Sequence, residues 1–144
     1  MALILDTGPI LAAMDAGDRD HHECADLFKE TSEELVIPAP VLPELDYWFH
    51  KGMGPDALLA LLDEIRQGVF RVKDLESDDY ARVFELLETY MDLRVGFVDA
   101  AVMAIVERLG EPKLATLDRR HFTIMRPRHV EALELLPASL KRGR

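Results

Sequence analysis

The stretch Ala2-Leu3-Ile4-Leu5-Asp6-Thr7-Gly8-Pro9 runs four apolar residues into a carboxylate, a tight turn and a proline. A short apolar run bounded this way reads as a buried strand, and proline suits the first turn of a following helix. The pattern delivers Asp6 to the carboxyl end of a strand, where open α/β sheets bind their ligands. An aspartate at this point can also cap the helix, because it satisfies free N–H groups and complements the dipole. The stretch is compatible with both roles. Acids recur at three later junctions of the same kind, and that recurrence favours a site.

Moving outward, Leu35-Val36-Ile37 is a second buried strand, halted by Pro38. A helix over Pro40 to Phe49 tolerates both Pro40 and Pro43, since the first four N–H groups of a helix have no internal partner. Val41, Leu42, Leu45, Trp48 and Phe49 then share one apolar stripe, flanked by Glu44 on one side and Asp46 on the other. The helical wheel does not choose between these two acids. Val69 to Val72 is a third, shorter strand. Gly96-Phe97-Val98-Asp99 opens a helix that stops at Gly110. Its body, Ala100 to Val106, is apolar all round, the mark of a central buried helix. Asp99 therefore enters the interior at a helix N-terminus. It either caps that end or has a partner, because a lone buried carboxylate is costly. Lys113 to Asp118 repeats the opening pattern, a strand arriving at an acid, and Phe122 to Met125 is expected to form a last edge strand. Strands alternate with helices throughout, which predicts an α/β fold with a parallel sheet of four to five strands covered on both faces.

The remaining segments are helical. Ile10 to Met14 and residues 19–31 read as helices. His21 and His22, adjacent and so on different faces, read as surface residues. Pro55 opens a leucine-rich helix ended by Gly68. Ser77 is an N-cap candidate for a helix to about Leu93, with Val83, Phe84, Leu87 and Met91 expected inward. Leucine between 55 and 93 exceeds what one helix contact needs. It is expected either to meet a second subunit or partner, or to extend the core.

The 144 residues fit one domain, expected over 1–136 and followed by a mobile basic tail over 137–144. An apolar fraction of 49% beside 31% charged residues excludes wholesale disorder, and no apolar run is long enough for a membrane span. Without signal-peptide features, and with one cysteine, the expected location is cytoplasmic. Charge is split unevenly. Eight Lys/Arg against three acids leave 113–144 at +5, and nine bases against 24 acids leave 1–112 at −15. A basic end can meet phosphate locally while divalent cations neutralise an acidic centre.

Asp6, Glu44, Asp99 and Asp118 thus fall at strand and helix ends on one side of the predicted sheet. Clustered carboxylates repel, and oxygen-only ligands suit Mg²⁺ or Mn²⁺, which can activate water and clamp a phosphoryl group. Asp6-Thr7-Gly8-Pro9, Glu44, Val98-Asp99-Ala100-Ala101 and Thr116-Leu117-Asp118-Arg119-Arg120-His121-Phe122, in that order, resemble PIN-domain proteins, most nearly the VapC toxin branch of bacterial toxin–antitoxin pairs. The resemblance covers about 2–126. It implies a three-layer α/β/α fold and a metal-dependent endoribonuclease that leaves 3′-hydroxyl and 5′-phosphate ends. It also implies that Asp6, Glu44, Asp99 and Asp118 are the catalytic acids holding Mg²⁺ or Mn²⁺, and it selects Glu44 over Asp46. Thr7, Thr116, Arg119 and Arg120 are the expected substrate-side residues. The implied partners are RNA and a small antitoxin, and the leucine surplus between 55 and 93 adds a second copy of the chain as an expected partner. Ala100 to Ile105 lack the further acids that some relatives carry.

Other readings fare worse. A haloacid-dehalogenase phosphotransferase needs an acid two positions after Asp6, where Gly8 stands. A receiver domain needs an acid pair at the first strand, and neither nucleotide-binding glycine loop occurs. The alternative that survives is a catalytically silent PIN-fold module that binds RNA or protein.

Overall fold

The computed structural model describes residues 1–140. Its frame is one five-stranded sheet, all parallel, in the order β3-β2-β1-β4-β5. The strands are β1 (Ala2–Leu5), β2 (Glu34–Pro38), β3 (Arg71–Lys73), β4 (Lys113–Ala115) and β5 (Glu134–Leu136). Around them lie α1 (Thr7–Met14), α2 (His21–Glu30), α3 (Leu42–Trp48), α4 (Pro55–Arg66), α5 (Ser77–Thr89) and α6 (Phe97–Leu109). Parallel neighbours need long crossovers, so helices flank the sheet, as the alternation predicts.

Central position explains the apolar β1. Ile4 pairs with Val36 on one side and Leu114 on the other, and Leu3, Ile4 and Leu5 are buried. Helix α6 is buried as its composition requires, with Ala100 to Val106 all inside. Chain order leaves β1 toward β2 and β3, then reverses to β4 and β5. The crevice between the ends of β1 and β4 is therefore a topological switch point, the place where open parallel sheets bind ligands. Helix α1 approaches this crevice closely. A Cβ on Gly8 would lie 3.1 Å from Leu117 Cβ, so the site tolerates little more than a hydrogen there.

Several elements differ from the sequence reading. Phe122 to Met125 is not a strand. Thr123 N–H donates to Arg119 O, and Ile124 and Met125 N–H both donate to His121 O, so this segment closes as turns. Phe122 and Met125, three apart, are consequently buried together. The outer strand is instead β5, a three-residue segment too short to carry a periodic signal. Helix α1 begins at Thr7 rather than near Ile10, with Asp6 at its N-cap position. Helix α5 is capped by Glu76 rather than Ser77, because Asp79 accepts from the Glu76 N–H at 2.8 Å in a capping box. It ends at Thr89, and a short 3-10 turn spans Met91–Leu93. Phe84 and Met91, expected inward, are exposed, whereas Val83 is buried. Trp48 likewise leaves the inward stripe of its helix and stands half-exposed, while Leu45 and Phe49 are buried.

Past β5, Pro137 is buried and Leu140 packs on the small cluster of Ala12, Cys24 and Leu117. Packed structure thus continues beyond residue 136. The remainder of the expected basic tail, 141–144, lies outside the described residues. Among the described residues no helix is long and apolar enough to cross a membrane.

Candidate active site

A cavity of about 950 Å³ opens at the switch point, and Asp6, Glu44, Asp99 and Asp118 all border it. Each acid arrives from a different element. Asp6 follows β1, Glu44 lies in the first turn of α3, Asp99 in the first turn of α6, and Asp118 just beyond β4. Backbone pairing fixes the two central exits. Asp6 N–H donates to Ala115 O at 2.9 Å, and Thr116 N–H donates to Leu136 O at 2.9 Å.

Asp6 is the deepest of the four, only 7% exposed. Its Oδ2 accepts from Thr116 Oγ1 at 2.8 Å. Burial pushes the Asp6 carboxyl up to about 6 from an ordinary 3.8; the Thr7 and Thr116 hydrogen bonds oppose the rise, and the charges of Asp99 and Glu44 add to it. The two sequence-selected threonines therefore act on the acids themselves. Thr116 ties Asp6, and Thr7 Oγ1 donates to Glu44 Oε1 at 2.6 Å, joining β1's exit to α3.

Asp99 has a partner, as its position requires, and that partner is His121. The His121 Nδ1 stands 2.6 Å from Asp99 Oδ2, so an ionised Asp99 accepts a hydrogen bond from that nitrogen. The sequence reading quotes His121 but gives it no role. The turn that replaces the expected edge strand is what aims it back at α6. Asp118 is exposed and pairs with Arg120, whose Nε and Nη2 reach its two oxygens at 3.1 and 3.0 Å. That hydrogen bond holds the Asp118 carboxyl below its usual range. Arg119 borders the cavity but spends its guanidinium on main-chain carbonyls, with Nε to Thr116 O at 3.0 Å and Nη2 to Pro137 O at 2.6 Å. It straps the segment after β5 to the site wall, whereas Arg120 is exposed at the rim.

The donor set fits a hard divalent cation by its chemistry: carboxylate oxygens around a buried Asp6 whose charge its neighbours oppose. The acids are gathered but not closed to ligand spacing. Among the described residues no three His, Cys, Asp or Glu side chains stand as a metal-holding group. Asp99 is turned to His121 and Asp118 to Arg120 instead. Trp48 also borders the cavity, and sequence periodicity places it in the core rather than here.

The PIN domain profile matches residues 3–126. Ribonuclease VapC26 of Mycobacterium tuberculosis is 33% identical over 125 residues, which cover 87% of this chain and 93% of that relative. The chain belongs to the PIN-domain family, in its VapC branch. The fold agrees. The crystal structure of the Mycobacterium tuberculosis sarcin-ricin-loop-cleaving toxin VapC20 superposes with a TM-score of 0.76 at 23% identity, covering 90% of this chain and 98% of that one. VapBC2 from Rickettsia felis, bound to a promoter DNA fragment, gives 0.70 at 18% identity, covering 94% and 98%. The matched span of the PIN domain contains all four acids.

Proposed function

We propose that this PIN domain is a metal-dependent endoribonuclease, the toxin of a toxin–antitoxin pair, hydrolysing RNA phosphodiesters with a metal-activated water. The observation that carries the reading is the gathering of Asp6, Glu44, Asp99 and Asp118 around one cavity at the switch point, with Asp6 buried against its neighbours' charge. The 33% identity to a ribonuclease of the VapC family supports it. Asp6, Glu44 and Asp99 would hold Mg²⁺ or Mn²⁺, with Asp118 completing the set at the rim. A bound cation would supply Lewis acidity to the phosphoryl group and lower the pKa of the attacking water.

The chain's own residues prepare that chemistry. Thr116 and Thr7 fix the orientation of Asp6 and Glu44, and His121 fixes Asp99. Arg120 at the rim is the group best placed to meet an RNA phosphate, which then competes with Asp118 for the guanidinium. Arg119 supports the wall rather than the substrate. A structured RNA panel incubated with Mg²⁺ or Mn²⁺, with EDTA, and with the Asp6→Asn and Asp99→Asn variants tests the assignment. Metal-dependent cleavage lost in both variants supports it; wild-type cleavage by either variant removes it.

The partners follow from surface and charge. Leu59 and Leu62 on α4, with Tyr80 and Phe84 on α5, are exposed apolar side chains on the two helices whose leucine excess calls for a neighbour. A second copy of the chain is the proposed occupant there. The acidic body suits a basic antitoxin segment across the cleft, and solved VapBC complexes from Rickettsia felis and Salmonella typhimurium support such a partner. A cytoplasmic location fits this reading.

A further inference from the structure

Trp48 is placed where a core residue is not needed. It sits one helical turn beyond Glu44 on α3, borders the same cavity as the acids, and is 51% exposed. Tyr47 braces it edge-on, with ring centroids 5.2 Å apart and planes at 84°, and is itself 55% exposed. Lys51 Nζ lies 5.4 Å from the Tyr47 ring centroid, so a cation stands beside the aromatic pair. Tyr47, His50 and Lys51, with Pro43 and Asp46, line a second concavity of about 470 Å³, where Asp46 pairs with His50 and leaves Lys51 as the cation. Exposed aromatics interleaved with positive charge form the usual platform for unpaired nucleic-acid strands, because every base has a stackable face.

We infer that Trp48 is a base-stacking platform, holding an unpaired nucleobase of the RNA beside the bond to be cut, with Tyr47 as its brace. Lys51 supplies positive charge for the neighbouring phosphate. This inference rests on the ribonuclease reading and adds a positioning role for α3 beyond Glu44. It also explains why Trp48 on α3 is exposed while Leu45 on the same helix and Phe49 just past its end are buried.

Trp48 is the chain's one tryptophan, so intrinsic fluorescence reads this position alone. The full-length protein is titrated in calcium buffer with a short single-stranded oligoribonucleotide, and with the same strand carrying abasic riboses. Calcium offers oxygen coordination with looser geometry than magnesium. Stacking predicts strong quenching by the first strand and little by the second. Read by anisotropy of a dye-labelled strand, Trp48→Ala should weaken binding about tenfold, and raise KM for cleavage more than it lowers kcat. Trp48→Phe should restore most of the loss, and circular dichroism checks that both variants fold. No quenching by the base-bearing strand, equal quenching by the abasic strand, or a signal that responds solely to protein dilution or to an antitoxin overturns the platform. The two readings fail separately. RNA that quenches Trp48 but is never cut with Mg²⁺ or Mn²⁺ counts against the ribonuclease, whereas RNA cut by Trp48→Ala at unchanged KM counts against the platform.

Discussion

Asp6→Asn should make the metal-free protein more stable at neutral pH, and the gain should shrink in acid. The Asp6 carboxyl is raised to about 6 from an ordinary 3.8, with burial as the main cause. A raised carboxylate means that the folded state holds its proton over a pH range where the unfolded chain has released it. Its contribution to stability therefore falls as pH rises from the unfolded value through the folded one. About two pKa units correspond to a penalty of roughly 3 kcal/mol, complete above about pH 7 and near 1 kcal/mol at about pH 4.5. The amide removes the charge, while its oxygen still accepts from Thr116 Oγ1, so most of the penalty should be recovered. Urea unfolding in EDTA at the two pH values, for wild type and variant, measures the difference. We expect Asn to stabilise by about 2 kcal/mol more at the higher pH than at the lower one. A variant less stable than wild type by the same amount at both values would show that Asp6 is a plain structural residue.

Asp99→Asn should lose most of the rise in melting temperature that wild type gains with millimolar Mn²⁺, since a ligand stabilises only the state that binds it; equal increments in both proteins would remove Asp99 from the metal set. Glu107 is 8% exposed and binds Arg82 Nε at 2.8 Å and the Arg128 N–H at 2.8 Å. Glu107→Ala leaves Arg82 with only Glu85 at 4.0 Å and the Arg126 carbonyl at 3.3 Å and should cost about 2 kcal/mol by urea unfolding, whereas a cost under about 1 kcal/mol would mean that water replaces the carboxylate there. Light scattering at micromolar concentration should give a dimer that Leu62→Glu dissociates, and a monomeric wild type would contradict the proposed α4–α5 contact.

The sheet was legible because buried parallel strands are short apolar runs, and Leu3 to Leu5 and Val36-Ile37 could be little else. The buried α6 was legible from Ala100 to Val106 for the same reason. The acids could be found because each stands where an element ends, a position that sequence marks with a proline, a glycine or a change of polarity. What stayed hidden depends on contacts between distant segments. β5 is three residues long, and its place beside β4 is set by pairing rather than by its own pattern. The His121–Asp99 contact spans 22 positions and needs the turn at 119–125 to form. Trp48 follows the helical period inward on paper, yet the cavity at the switch point removes the neighbours that would cover it. Arg119 and Arg120 are adjacent and alike in sequence, and their different roles come from which carbonyls and carboxylates lie within reach.

If Asp6, Glu44, Asp99 and Asp118 direct a metal-activated water at RNA, the ends produced when the wild-type protein cuts a labelled RNA in Mn²⁺ record that attack. Water attack that expels the 3′-oxygen leaves a 5′-phosphate and a 3′-hydroxyl, and those ends are expected, with no product in EDTA. Products ending in a 2′,3′-cyclic phosphate and a 5′-hydroxyl would mean that the RNA's own 2′-hydroxyl is the nucleophile, and cleavage that continues in EDTA would mean that no metal is needed; either result refutes a metal-activated water.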